Sequence, residues 1–204
     1  RCAVRLSLEW LDDDTPHRHP TPEQKAGAIT AATPNSMPRI TVLMATYRGE
    51  RYLEPQIASI LDQRGVDVWL VVSDDGSDDR TPEMLARIAR DDSRVTVLPA
   101  QRSGSSAGNF FRLIREASTD GSDAIAFSDQ DDLWYPDKLA RHFRLLTQPA
   151  AGTPIGAVSS NVAPFSDAGP GPALERGGPQ RLADHIFDSA GAGSTYVLTP
   201  AAFD

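Results

Sequence analysis

Asp129, Asp131 and Asp132 stand within four consecutive positions of the run Phe127–Trp134. The run continues an apolar segment, Ala124–Phe127, that we predict to be a buried strand. Like charges this close repel one another unless a cation lies among them. Mg²⁺ or Mn²⁺, held by one or two of the carboxylates and by the phosphates of a substrate, would supply that charge. Taken alone, the run is also compatible with an acidic turn that is solvated at a sheet edge.

A second polar segment, Ser73–Asp79, contains Asp75 and Gly76 and follows another apolar run. A carboxylate at a strand end can accept hydrogen bonds from a base or a ribose, whereas an ordinary turn would use the same residue types. No Gly-x-Gly-x-x-Gly follows the first predicted strand, and no Gly-Lys-Ser/Thr loop is present. These absences argue against a dinucleotide dehydrogenase and a P-loop enzyme, and we predict no serine or cysteine nucleophile.

Short apolar runs alternate with amphipathic segments from Pro38 onward. The predicted strands are Ile40–Met44, Val68–Val72, Arg94–Leu98, Ala124–Phe127 and Ile155–Ser159. The predicted helices are Tyr52–Gln63, a segment capped by Thr81, Asn109–Ala117 and Pro136–Thr147. This alternation predicts an α/β domain with a mostly parallel sheet flanked by helices. Ligands of such sheets bind beyond the carboxyl ends of the strands. We therefore expect the loops Ala45–Glu50, Ser73–Asp79 and Ser128–Asp132 to converge on one site.

Both ends of the chain depart from this pattern. Residues 1–38 predict a flexible leader, with one short helix around Val4–Leu11, and residues 39–204 form the predicted domain. Residues 164–180 are rich in Gly and Pro and predict a surface loop. A last helix begins near Thr199, and the sequence stops inside it, so we expect the domain to be incomplete at its C-terminal end.

The bulk composition narrows the function classes. A net charge of -8 disfavours nucleic acid as a partner, because a phosphate backbone requires neutralising cations. Hydrophobic residues make up 40% of the chain and charged residues 24%, which is ordinary for a globular protein. The single Cys2 excludes an intrachain disulfide, and no apolar run reaches the length of a membrane span. We expect a cytoplasmic protein, compatible with peripheral contact at the inner face of the membrane.

Four ordered motifs resemble the family 2 glycosyltransferases, and within them the bacterial rhamnosyltransferase-like branch. The motifs are Ala45–Leu53, Asp74–Ser77, Phe127–Trp134 and Pro136–Leu139. The resemblance extends over residues 38–200 and implies a GT-A fold. It further implies inverting transfer of a sugar, with rhamnose as one candidate, from a UDP- or dTDP-linked donor to a polysaccharide, other saccharide or lipid-linked (glycolipid) acceptor.

The resemblance also implies roles for individual residues. The implied donor-binding residues are Thr46, Tyr47, Arg48, Asp75 and Asp129, and Asp131 is the implied ligand of Mg²⁺ or Mn²⁺. Tyr47 would lie beside the base, Asp75 would bond the base edge, and Asp129 would face the ribose or the metal. Position 48 is Arg where the family usually has Asn. Gly191–Ser194 resembles the stretch that borders the donor sugar and the acceptor.

The catalytic residue is unknown from the sequence, because the resemblance implies a base on a segment beyond Asp204. A non-catalytic nucleotide-sugar-binding fragment, or a degenerate domain, is therefore the alternative to a metal-dependent transferase. A phosphatase or receiver-like α/β domain would need a nucleophilic Asp at the end of the first strand, where this chain has Ala45 and Thr46. The choice between uracil and thymine as the base remains open.

Overall fold

The computed structural model describes residues 3–5, 37–148, 155–166, 169–171 and 193–203. The strands in this part of the chain are β1 (Ala3–Arg5), β2 (Arg39–Thr46), β3 (Asp67–Asp74), β4 (Val95–Val97), β5 (Ala124–Ser128), β6 (Asp132–Leu133), β7 (Ala157–Val158), β8 (Ala163–Ser166), β9 (Gly169–Pro170) and β10 (Val197–Leu198). The helices are α1 (Leu53–Leu61), α2 (Thr81–Asp91), α3 (Ser106–Glu116), α4 (Lys138–Thr147) and α5 (Pro200–Phe203), with a 3₁₀ turn at Gly193–Thr195.

A six-stranded sheet in the order β4-β3-β2-β5-β10-β7 is the centre of the fold. Strands β4, β3, β2 and β5 are parallel, whereas β10 runs antiparallel to both β5 and β7. The prediction of a mostly parallel α/β sheet is therefore confirmed. Because β2 is flanked by β3 and β5, the three predicted polar loops leave the same edge of the sheet.

Alternate residues of β2 supply the cores on the two faces of the sheet. Ile40, Val42 and Met44 pack in a cluster with side chains of α1, α2 and α4. Leu43 and Ala45 belong to a second cluster, which includes Leu113 of α3. Successive side chains of a strand point to opposite faces, so a strand covered on both sides must be apolar throughout. This explains why apolar residues occupy both faces of β2, with Thr41 as the one polar residue between Ile40 and Ala45.

The structure corrects two local predictions. The predicted loop 164–180 begins with two short strands, because β8 (from Ala163) and β9 pair antiparallel with each other. Residues 172–180 lie outside the described residues. The predicted helix around Val4–Leu11 is wrong at Val4 and Arg5, which belong to β1. β1 pairs with β6 and β8, whose backbone groups along the strand edge favour an extended partner over a helix. The remaining residues of that predicted helix lie outside the described residues, and the division into a leader and a domain stays a prediction.

No helix in the described ranges combines the length and the apolar character that a membrane crossing requires.

Candidate functional site

A cavity of about 310 Å³ opens at the carboxyl edge of β2, β3 and β5. Its lining consists of Ala45, Thr46, Tyr47, Asp75, Arg102, Gly104, Ser105, Ser106, Asn109, Asp129, Gln130 and Asp131. The predicted convergence of the three polar loops is confirmed, and five of the six predicted site residues line this one cavity. Arg48 does not line it.

Arg48 turns away from the cavity toward the loop after β3. Its Nε and Nη2 donate to the two carboxylate oxygens of Asp78, both at 2.6 Å, and its guanidinium lies 5.3 Å from the centre of the Tyr47 ring. The backbone of Arg48 has φ = +50°, in the left-handed region that Asn tolerates better than most residues. The backbone conformation thus accounts for the Asn that is usual at this position. The donor-binding role of Arg48 stays a prediction.

Asp75 lies at one end of the cavity and is 6% exposed. Its Oδ1 accepts hydrogen bonds from the backbone amides of Ser103 and Gly104, the latter at 3.0 Å. Its own amide donates to the Thr46 carbonyl at 2.9 Å. Asp75 therefore fixes the loop before α3 to the ends of β2 and β3, in addition to presenting a carboxylate to the cavity.

The N-terminus of α3 lines the same end of the cavity. The helix begins three residues before the predicted Asn109, because Ser105 caps it by accepting from the Gly108 amide at 3.0 Å. Residues 104–108 also fit the Gly-x-Ser-x-Gly pattern of serine hydrolases. His142, the histidine within the described ranges, is fully buried outside the cavity lining, so the pattern serves here as a helix start.

Two polar side chains of α3 secure the helix against the sheet. The Asn109 amide nitrogen donates to the carbonyls of Ser73 and Thr46, at 2.8 and 3.3 Å. Arg112 is almost fully buried and donates to the Pro99 carbonyl at 2.6 Å. Both side chains lie where the loop 99–105 crosses the edge of the sheet, so they support the cavity wall. Neither side chain was predicted as part of the site.

Gln130 joins the acidic loop to the loop after β2. Its Oε1 accepts from the Thr46 hydroxyl at 2.6 Å and from the Tyr47 amide at 2.8 Å, and its Nε2 donates to the Tyr47 carbonyl at 3.1 Å. A Cβ at Gly49 would lie 2.7 Å from both Gln130 Oε1 and Thr46 Oγ1, so any larger residue there would force this hydrogen-bonded pair of side chains to move. Gln130 thus sets the distance between the two loops that carry most of the predicted residues.

A buried glutamine holds the same acidic loop from α1. The Gln56 amide nitrogen donates to the Ser128 hydroxyl at 2.7 Å and to the Asp129 carbonyl at 3.2 Å. The backbone of Asp129 is therefore held by Gln56 of α1, while its side chain lines the cavity. A fixed backbone at this point limits where the two cavity carboxylates can lie.

The three carboxylates of the acidic loop are crowded but differ in exposure: Asp132 is buried, Asp129 is partly buried and Asp131 is exposed. Burial, with the negative charges of Asp132 and Asp131, raises the pKa of Asp129 to about 6, against the opposing effects of Ser194 and Lys138. Burial also raises the pKa of Asp132. Both raised pKa values indicate that burial and the neighbouring negative charges destabilise the ionised carboxylates. A nearby cation would offset this effect.

Lys138, the first residue of α4, is the buried cation beside these carboxylates. It is 3% exposed, its Nζ donates to the Ser194 carbonyl at 2.9 Å, and it lies 3.2 Å from the centre of the Trp134 ring. Burial lowers the pKa of the Lys138 ammonium well below its ordinary value, whereas Asp132 and Asp129 raise it. Lys138 was not predicted as a site residue, although it lies in the motif Pro136–Leu139 that carried the resemblance.

The residues present fit a divalent cation only in part. Asp129 and Asp131 both line the cavity, and oxygen ligands of this kind suit Mg²⁺ and Mn²⁺. Within the described ranges, no three His, Cys, Asp or Glu side chains converge as ligands of one ion. An ion at this place would thus take its remaining ligands from a substrate and from water, as Mg²⁺ commonly does.

Comparison with known proteins identifies relatives of this chain. Residues 41–189 match the family "Glycosyl transferase family 2". The dTDP-rhamnosyl transferase RfbG of Shigella flexneri is 36% identical over 157 residues, which cover 76% of this chain and 53% of that protein. This match confirms the predicted resemblance to the rhamnosyltransferase-like branch.

Solved structures share the fold. The mannosyltransferase PcManGT from Pyrobaculum calidifontis, in complex with GDP-Man and Mn²⁺, superposes with a TM-score of 0.57 at 21% identity, covering 87% of this chain and 49% of that one. S. aureus TarS 1-349 in complex with UDP gives 0.51 at 16% identity, covering 80% and 47%. The chain spans about half the length of these proteins. The GT-A fold is confirmed, and on the match over residues 41–189 the chain belongs to glycosyl transferase family 2.

Proposed function

We propose that this chain forms the donor-binding part of an inverting, metal-dependent glycosyltransferase. The observation that carries the proposal is one cavity with Asp75 at the end of β3 and Asp129 and Asp131 at the end of β5. A nucleoside diphosphate has a base at one end and phosphates at the other, and this arrangement offers each end a suitable partner. The donor would be linked to UDP or dTDP, and the acceptor would be a saccharide or a lipid-linked saccharide.

The base would bind at the Asp75 end of the cavity. Asp75 Oδ1 is occupied by the amides of Ser103 and Gly104, which orients the carboxylate toward one side. The N3–H of uracil or thymine is a donor that a fixed carboxylate accepts well. The ring of Tyr47, braced on one side by Arg48, would pack against the base.

The diphosphate would bind at the other end, with a divalent ion held by Asp131 and assisted by Asp129. When bound, such an ion stabilises the negative charge that develops on the leaving diphosphate. Gln130 and Gln56 hold the backbone of this loop in place at Gln130 and Asp129, so the two carboxylates would bind such an ion with little rearrangement of the loop. Rhamnose is our candidate for the sugar, because of the relative that transfers it.

The acceptor hydroxyl must lose its proton to a base as it attacks the anomeric carbon. Asp75, Asp129 and Asp131 are all assigned to the donor, so we assign the base to none of these three. Binding of the donor without turnover is the second candidate function, and it rests on the same cavity.

Thermal shift across a panel of nucleoside diphosphates and nucleotide sugars, with and without Mn²⁺, tests the proposal. We expect UDP or dTDP to raise the melting temperature only modestly alone and further with Mn²⁺, and GDP and ADP to have little effect. Release of the sugar, measured on the same samples, separates transfer from binding alone. Absence of a shift with every nucleotide would contradict both candidates.

A further inference from the structure

Lys138 makes contacts that the donor site as described does not use. Its ammonium lies under the acidic loop, bonded to the Ser194 carbonyl and packed on the Trp134 ring. A buried lysine is rare unless its charge is paired, and here it faces Asp132 and Asp129. This one side chain therefore joins the acidic loop to the Gly193–Thr195 turn.

Ser194 completes the connection from the other side. The Ser194 side chain lowers the pKa of both Asp129 and Asp132, which places it beside their carboxylates, and the residue is almost fully buried. Asp132 does not line the cavity, and its Oδ2 has no hydrogen-bond partner in the part of the chain that is described. Asp132 thus belongs with Lys138 and Ser194 to a buried cluster beneath the cavity. Asp129 belongs both to this cluster and to the cavity lining.

The strand order gives the Gly193–Thr195 turn its place relative to the cavity. Along the sheet, β3, β2, β5 and β10 follow one another, and β10 is antiparallel to β5. The residues just before β10 therefore lie at the carboxyl end of β5, where the Phe127 amide donates to the Tyr196 carbonyl at 3.2 Å. Along this edge of the sheet, the order is therefore Asp75 after β3, Asp131 after β5, and then the Gly193–Thr195 turn before β10.

A nucleotide sugar has the same linear order: base, ribose, diphosphate and sugar. With the base at Asp75 and the diphosphate at Asp131, as the proposed function has it, the sugar comes nearest to the Gly193–Thr195 turn. We propose that Lys138 is a positioning residue, which holds this turn against the acidic loop and so sets the fit of the donor sugar rather than of the nucleotide. It acts through the Ser194 carbonyl and does not touch the donor.

The test compares affinity for a nucleoside diphosphate with affinity for its sugar-linked form. Calorimetry with Mn²⁺ would use dTDP and dTDP-rhamnose, or UDP and UDP-glucose if the wild type binds that pair. Lys138→Met alone leaves Asp132 buried without a cation, so the decisive variant is the double substitution Lys138→Met with Asp132→Asn. It removes both charges together with the bond to Ser194.

We expect the double variant to bind the nucleoside diphosphate within about threefold of the wild type, and the nucleotide sugar about tenfold more weakly. Arg141→Met is the matched control, since Arg141 lies one turn along the same helix and pairs only at the surface with Asp137. Its ratio of the two dissociation constants should equal that of the wild type.

An unchanged ratio in the double variant would show that Lys138 serves only to neutralise Asp132, and would overturn the inference. Equal weakening of both ligands would overturn it as well, because a general structural role predicts that result. If the double variant does not fold, Lys138→Arg decides, because it keeps a positive charge beside Asp132 but alters the bond to the Ser194 carbonyl. The same change of ratio is expected, and an unchanged ratio would refute the inference. Wild-type protein that binds neither ligand would contradict the proposed function itself, and the inference would fall with it.

Discussion

Gln130 offers the sharpest perturbation of the site's geometry. Gln130→Met keeps the length of the side chain but removes three hydrogen bonds, to the Thr46 hydroxyl and to the amide and carbonyl of Tyr47. Each such bond contributes about 0.5–1.5 kcal/mol net. Tyr47 is 39% exposed, so water replaces part of what its backbone loses. We therefore expect the free energy of unfolding to fall by about 1–2 kcal/mol.

The effect on ligand binding should exceed the effect of a simple loss of stability. Without Gln130, the loops that carry Tyr47 and Asp131 are no longer held at a fixed distance, and the ligand must order them when it binds. Ordering costs of this kind weaken binding by about tenfold. Urea unfolding measures the first effect, and calorimetry of the nucleoside diphosphate with Mn²⁺ measures the second.

Gln148→Met is the matched control, because Gln148 is an exposed glutamine at the end of α4. It should change neither quantity. If Gln130→Met bound the nucleotide as tightly as the wild type, the two loops would be positioned by other contacts, and our account of Gln130 would be wrong.

Three further substitutions test particular features. Gly49→Ala should lower both stability and nucleotide affinity, because its Cβ would meet Gln130 Oε1 at 2.7 Å; a fully stable variant in urea unfolding would show that the loop yields. Arg48→Asn should not lower the melting temperature, since φ = +50° suits Asn and the ion pair with Asp78 is exposed; a clear fall would show that the pair matters. Burial, with the charge of Lys138, lowers the pKa of His142 to about 4. As the pH falls from 6.5 to 4, only the unfolded state therefore gains a proton at this residue, and the free energy of unfolding falls by about 3 kcal/mol. His142→Gln should lack this loss, and an equal pH dependence of urea unfolding in both proteins would contradict the buried, neutral imidazole.

The sheet and the edge that carries the site followed from the pattern of apolar residues. The strands are short, mostly apolar and separated by amphipathic helices, and parallel strands must end at one edge. Asp75 and Asp131 could be assigned to that edge because each lies in the loop that follows such a strand. Pairings that depend on distant parts of the chain, such as β1 with β6 and β8, leave no periodic signal in a three-residue segment.

The supporting residues of the site were much harder to predict. Gln130 and Lys138 look like surface residues in the sequence, and their roles arise only when three loops meet in space. Ser105 did carry a local signal, since a serine before a helical segment is a common N-cap. Arg48 was predicted to bind the donor because of its position in the sequence, but its side chain forms hydrogen bonds with Asp78 on the neighbouring loop and does not line the cavity.

The central claim is that one cavity binds a nucleoside diphosphate with its base at Asp75 and its metal at Asp131. Calorimetric titration of dTDP or UDP, with and without Mn²⁺, on the wild type and two variants tests it most directly. Asp131→Ala should abolish the gain in affinity that Mn²⁺ gives and leave the metal-free affinity unchanged. Asp75→Asn, which keeps an acceptor for the amides of Ser103 and Gly104, should weaken binding about ten- to a hundredfold whether or not Mn²⁺ is present. Metal-dependent affinity that survives in Asp131→Ala, or an Asp75→Asn effect confined to Mn²⁺, would contradict the account.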